Sequence, residues 1–205
     1  FLEPFNPRQG ENFEPVPGFH EGSAWNYTFY VPHDIPRLAK LMGGRKAFIS
    51  KLQKVFDEGL YDPANEPDIA YPYLFSYFKG EEWRTQKTVH ELLEKHYTTR
   101  PDGLPGNDDT GTMSAWAIFS MMGFYPDCPG KAEYTLTAPR FDSVEIRLAP
   151  EYCEGETKLV IKCSRTSGEG WKKIGSVKLS GKTLPSLRVS HKDLVKGGLL
   201  EFRCR

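Results

Sequence analysis

Two carboxylates stand side by side in "GLPGNDDTGTMSAW", residues 103–116, on a loop of Gly, Pro, Asn and Thr that runs into a stretch of helix formers. Adjacent carboxylates repel unless a cation or hydrogen-bond donors hold both charged. Asp108 and Asp109 therefore cap the following helix, move protons, or hold a metal. One cap needs one carboxylate, which leaves the second for another task. A second polar loop is "GFHEGSAWNYTFYVPHD" (18–34), where Glu21 lies among His20, Trp25, Tyr27, Phe29 and Tyr30. Carboxyls in aromatic surroundings lose hydration and ionise less readily, as a general acid working near neutral pH requires. A helix cap or an ion pair is the plainer role for this glutamate. His33, in the same loop, is a candidate ligand contact. The third loop, "YDPANEPDIAYPY" (61–73), offers Asn65, Glu66 and Asp68. Their hard oxygens suit calcium, in a spacing that is not an EF-hand; capping of a helix by Asn65 or Asp68 is the alternative.

Other chemistries find no pattern. Ser114 lacks a G-x-S-x-G frame, no glycine-rich phosphate loop occurs, and His90 and His96 have no paired ligand spacing. Cys128, Cys153, Cys163 and Cys204 show no C-x-x-C spacing, so zinc is disfavoured, and free core thiols or one or two disulfides both stay open. The sequon Asn26-Tyr27-Thr28 sits between aromatics and reads as buried rather than glycosylated.

The elements that must position these loops change character near residue 130. Before it, the periodicity predicts helices over 35–44, 45–56, 66–80, 81–99 and 110–126, with Phe48, Leu52, Val55 and Phe56 on one face of the second. The 66–80 stretch is aromatic nearly all round, which predicts deep burial, and Pro72 would kink it or reset its start. After it, alternating apolar and polar residues predict strands over 133–139, 142–149, 157–164, 174–181, 186–191 and 199–205, with "SGKT" (180–183) as a hairpin turn. Helices followed by strands make an α+β pattern, divided as 1–130 and 131–205, with the strands as an antiparallel sheet or half a sandwich. Their core is thin for an independent unit, so strands from elsewhere are expected to complete it.

Lys plus Arg equals Asp plus Glu at 27 each, which removes the electrostatic case for nucleic acid or a membrane surface as partner. No apolar run approaches the ~20 residues of a membrane span. The opening "FLEPFNPRQG" does not read as a signal peptide, and a first Phe reads as a processed, truncated or nicked chain.

The elements "EGSAWNYTFYVPHD", "NEPDIAYPYLFSY", "TQKTVHELLEKHY", "GLPGNDDTGTMSAWAIFSMMGFYPDCPG" and "GSVKLSGKTLPSLRVSHKDLVKGGLLEF" occur in this order, and together they resemble the glycoside hydrolase family 92 α-mannosidases. The resemblance runs from about residue 1 to 205. It implies a calcium-dependent, inverting exo-α-mannosidase acting on mannose-containing glycans, extracellular or periplasmic. It also implies an N-terminal β-sandwich paired with an (α/α)6 barrel. Known members are several times longer, so this chain is similar to their C-terminal part: the last barrel helices, then strands returning to the sandwich, with the remainder of the same polypeptide as its partner. By motif position Glu21 matches the general acid. Asp109 best matches the general base, with Asp108 the near alternative. Asn65 and Glu66 match the calcium and sugar surface, and Trp25 and Asp34 line the pocket. Ser23 and Asn26 depart from the more usual Asn and Gln, which bears on linkage preference. The rival readings are a carbohydrate-binding or structural module without catalysis, and an (α/α)6 enzyme acting on another sugar.

Overall fold

The computed structural model describes residues 6–10, 18–151, 158–166, 171 and 173–205. Its first half is helical: α1 (Ala24–Tyr27), α2 (Ile35–Leu41), α3 (Arg45–Asp57), α4 (Glu82–His96) and α5 (Thr112–Met122). Each start and stop has a local cause. Asp34 accepts a hydrogen bond from Arg37 N at 3.0 Å, and Pro36 falls in the first turn of α2. Gly43 and Gly44, both at φ 96°, reverse the chain between α2 and α3, a conformation that glycine adopts without a Cβ clash. α3 buries Phe48, Ile49, Leu52 and Val55, the i, i+3, i+4 stripe of an amphipathic helix.

The helix expected over 66–80 is two 3-10 segments, Glu66–Asp68 and Tyr71–Tyr77. Pro67 and Pro72 fall within the first two positions of these segments, and each removes an N–H that a continuous α-helix would need. The expected depth holds: Tyr71, Tyr73, Leu74 and Phe75 are all buried. Tyr71 and Phe75 join Phe29, Ile35, Phe48 and Leu52 in one apolar cluster, and Tyr73 joins Val89, Leu93 and Trp116 in another.

α5 is apolar on most sides because it serves two neighbours. Trp116 and Ala117 pack among the helices, while Phe119 and Met122 pack against the strand core. It ends at Gly123, φ 96°, where a Cβ would meet the Pro139 ring at 2.6 Å and Thr137 O at 2.9 Å. Only glycine fits there.

The strands are β1 (Phe124–Tyr125), β2 (Glu133–Leu136), β3 (Ser143–Arg147), β4 (Lys158–Arg165), β5 (Ile174–Leu179), β6 (Lys182–Thr183), β7 (Arg188–Ser190) and β8 (Gly198–Cys204), with α6 (His191–Leu194) between the last two. They form a three-stranded sheet, β1-β2-β7, and a five-stranded sheet, β3-β4-β8-β5-β6. Phe124, Leu136 and Val189 of the first share a core with Leu159, Ile161, Val177, Leu200 and Phe202 of the second. Ser180 and Gly181 both take positive φ and close the β5–β6 hairpin, as "SGKT" predicts. The purely antiparallel expectation is corrected at one pair: β4 and β8 run parallel over Leu159–Arg165 and Gly198–Cys204. The period-2 pattern of side chains is the same in both directions, so alternation carries no information on it.

Helices and sheets are tied by polar contacts as well as by α5. Gln86 of α4 accepts from Ile174 N at 2.8 Å. Arg188 of β7 lies 4.1 Å over the Tyr77 ring and 3.2 Å from Glu133. Cys128, Cys163 and Cys204 are buried free thiols, the last two with sulfurs 3.6 Å apart; Cys153 lies outside the described residues.

Candidate active site

The three polar loops meet. Asn65 is the hinge between the first two: its side-chain amide donates to the Glu21 carbonyl, and its Oδ1 accepts from Glu66 N at 3.0 Å. The third loop packs directly on the second, since a Cβ placed on Gly106 would sit 2.8 Å from Ala64 O. Glu21, Asn65–Glu66 and Asp108–Asp109 thus belong to one assembly of loops, although 88 positions separate its outer carboxylates (21 to 109).

The backbone is strained where the candidates lie. Four described residues other than glycine have positive φ, and three of them are Glu21 (51°), Asp108 (55°) and Thr110 (53°). A β-branched threonine in that region costs on the order of 1–3 kcal/mol, and such strain gathers at functional sites, where the surroundings hold it in place.

The two aspartates divide their roles. Asp108 accepts from Ser114 N at 2.7 Å with one oxygen and from Ser114 Oγ at 2.5 Å with the other. These bonds, the hydroxyl's first, hold its carboxyl below the usual range. Asp108 thereby closes the N-terminus of α5, whose formal cap, Gly111, has no side chain to do so. Asp109 is exposed and begins the 3-10 segment Asp109–Gly111; its backbone carbonyl accepts from Thr112 Oγ1 at 2.6 Å, and its carboxylate has no hydrogen-bond partner among the described residues. One aspartate is committed to the helix and the other is free for solvent or a ligand.

The aromatic enclosure expected around Glu21 is corrected. Its side chain is 54% exposed and lies 3.6 Å from His20 Nε2. Of the flanking rings, Phe29 and Trp25 turn elsewhere, while Tyr27 stays within reach of the Glu21 charge. Phe29 is in the core, Tyr27 donates back to the His20 carbonyl, and Trp25 packs towards α3 with Lys51 and Lys54 ammoniums 5.5 and 5.6 Å from its ring centre. Neighbours in sequence point to different sides of a short helix and cannot all face one carboxyl. Asp34 caps α2, and His33 is exposed nearby in the chain.

Behind Glu21 lies a buried network. Ser23 and Asn26 form a capping box on α1, in which Asn26 Oδ1 accepts from Ser23 N at 2.8 Å. The Asn26 amide donates to Asp68 Oδ2 at 2.9 Å, and Tyr71 donates to Asn26 O at 2.6 Å. Asp68 also accepts from Asp62 N at 2.9 Å and is fully buried. Burial pushes its pKa up to about 8, against the lowering effect of these hydrogen bonds. Asp68 therefore faces inward, rather than offering an oxygen at the surface as its sequence context suggests. The sequon's asparagine is buried as expected, its amide nitrogen being spent on Asp68, while Tyr27 and Thr28 are half-buried. The pairing of Ser114 with Asp108 and that of Asn26 with Asp68 are contacts that sequence reading does not pick out; only the S-x-x-N capping spacing hints at the second.

For a cation, the described residues offer a partial set. Glu66 Oε1 is buried and has no hydrogen-bond partner, which suits an oxygen-seeking ion. No group of three or more His, Cys, Asp or Glu able to hold a metal occurs among the described residues. No described helix is long and apolar enough to cross a membrane.

The model of the glycosyl hydrolase family 92 catalytic domain matches residues 1–205. A protein of Arthroderma benhamiae named as an uncharacterized secreted glycosidase is 31% identical over 183 residues, 89% of this chain and 23% of its own length. A family GH92 α-mannosidase of Bacteroides thetaiotaomicron, solved in complex with mannoimidazole, superposes with a TM-score of 0.87 at 26% identity, over 100% of this chain and 28% of that one. A family GH92 inverting mannosidase of the same bacterium gives 0.79 at 27% identity, over 99% and 29%. The chain thus spans about a quarter of the length of these relatives. With the whole of it matched and the fold shared, the chain belongs to glycosyl hydrolase family 92.

Proposed function

We propose that this chain is the C-terminal portion of a calcium-dependent, inverting exo-α-mannosidase that removes terminal α-mannosyl residues from glycans outside the cytoplasm. The observation that carries the reading is the joining of the Glu21 and Asp109 loops across the Asn65–Ala64 turn in a chain of family 92. Inversion needs an acid and a base about 6.5–9.5 Å apart with a water between. Glu21 delivers a proton to the leaving oxygen, and Asp109, free of hydrogen-bond partners among the described residues, accepts the proton of the attacking water. Asp108 keeps that loop on α5. Glu66 and Asn65 would hold calcium, with further ligands from the rest of the polypeptide, water or the sugar; when bound, the ion would supply charge stabilisation to the reacting sugar. His33, exposed on the adjoining stretch, contributes to the substrate pocket, while Asp34, capping α2, and Trp25, turned towards α3, support that stretch.

The rest of the polypeptide, together with the sugar, would cover the exposed Glu21 and exclude water. In this reading residues 1–130 belong to the (α/α)6 catalytic unit and 131–205 to the sandwich. The test is mannose release by the full polypeptide from an α-mannobioside, with and without EDTA, following the product anomer by NMR. Calcium-dependent release of β-mannose is expected. Release of α-mannose would remove the inverting pair, and binding without turnover would favour a carbohydrate-binding module.

A further inference from the structure

One buried atom, Asp68 Oδ2, touches both halves of the proposed site. It accepts from Asn26 Nδ2 at 2.9 Å and from Asp62 N at 2.9 Å. The first bond leads towards the acid: Asn26 Oδ1 takes both Ser23 N (2.8 Å) and Ser23 Oγ (3.0 Å), two residues from Glu21. The second leads to the 62–66 turn, where Asp62 Oδ1 takes Ala64 N at 2.8 Å and Asn65 binds the Glu21 carbonyl. Glu21 is therefore held from both sides, through Ser23 and through Asn65, and both holds converge on the same oxygen. Its φ of 51° is a conformation that a glutamate leaves unless it is restrained.

We propose that Asp68 is a positioning residue for acid catalysis: it fixes the Glu21 carboxyl relative to the Asn65–Glu66 turn without touching substrate. The inference rests on the mannosidase reading above. Asp68 lies 47 positions from Glu21 in sequence (21 to 68) and is fully buried, so it acts only through the two relays. A displacement of an acid by about 1 Å is enough to cost on the order of 100-fold in rate.

The leaving group separates positioning of an acid from general support of the fold. An α-mannobioside leaves as a poor alkoxide and needs a proton, whereas 2,4-dinitrophenyl α-mannoside leaves unaided. In the full polypeptide, Asp68→Ala is expected to lower kcat on the mannobioside about 100-fold, the lower end of what acid–base catalysis contributes. KM should hold and the dinitrophenyl substrate should turn over at nearly the wild-type rate. Asp68→Asn, whose amide oxygen accepts the same two bonds, should restore the mannobioside rate. If Asp68→Ala does not fold, Asn26→Ala cuts the same relay nearer to Glu21 and should show the same split. Equal losses on both substrates, no loss on either, or no rescue by asparagine would overturn the inference while leaving the mannosidase reading intact. A wild-type polypeptide that cleaves neither substrate would overturn the reading itself, and this inference with it.

Discussion

The division of labour between the paired aspartates predicts opposite signatures for two substitutions one residue apart. Asp109→Asn removes a carboxylate that accepts no hydrogen bond among the described residues, so the fold has nothing to lose at that position. If it is the general base, kcat falls by roughly 10²–10⁴, or about 3–5 kcal/mol of barrier. The melting temperature should stay within about 1 °C of wild type, since surface changes away from packing and caps cost little. Asp108→Ala does the reverse. It frees Ser114 N and Oγ and uncovers the start of α5, so the melting temperature falls. Activity declines only as far as the loop loosens. Acid sharpens the contrast. The folded Asp108 carboxyl ionises below its ordinary range, so its contribution to stability is present above the unfolded value of 3.8 and is lost as pH falls through the folded pKa. The acid limb of wild-type stability should therefore flatten in Asp108→Ala and persist in Asp109→Asn. The assays are steady-state kinetics on an α-mannobioside and thermal melts from about pH 2 to 7. A normal kcat in Asp109→Asn, or a kinetic collapse in Asp108→Asn with unchanged melting, would refute the assignment.

Three further outcomes are expected. Asp68 has a folded pKa of about 8 against 3.8 for its ordinary value, so the folded state holds the proton more tightly; its contribution is fully present below about pH 4 and is lost as pH rises through 8, on the order of 5 kcal/mol in all. Asp68→Asn should flatten this decline between about pH 4 and 8 in denaturant melts. Gly106→Ala places a methyl 2.8 Å from Ala64 O and should separate the second and third loops at a cost of about 1–3 kcal/mol, seen as faster amide exchange in 61–66 and 103–111. Asn26 should stay unglycosylated on expression in a glycosylating host, because its amide is buried against Asp68; an Asn26 glycopeptide in a mass-spectrometric map would contradict the network.

The sequence by itself determined what depends on near neighbours. Periodicity located α2–α5 and the longer strands, because a helix or strand buries one face at its own repeat. Ser180–Gly181 marked its hairpin, and three loops rich in carboxylates and amides announced themselves through composition. Pro72 marked a kink or a new start within 66–80, and the chain breaks into two 3-10 segments where Pro67 and Pro72 remove donors. Tertiary structure decided everything that depends on which distant segments meet. Asp108 and Asp109 are equivalent in the sequence, and only the direction of α5 gives Ser114 to one of them. Trp25 and Phe29 surround Glu21 in the chain but turn away from it in space, because each satisfies a different neighbour. The parallel run of β4 beside β8 follows from connectivity, to which side-chain alternation is blind. The Asp68 oxygen that joins two loops is 42 positions from Asn26. A bond between residues so far apart is set by the packing of Tyr71, Phe29 and Phe48 beneath it, and by no local pattern.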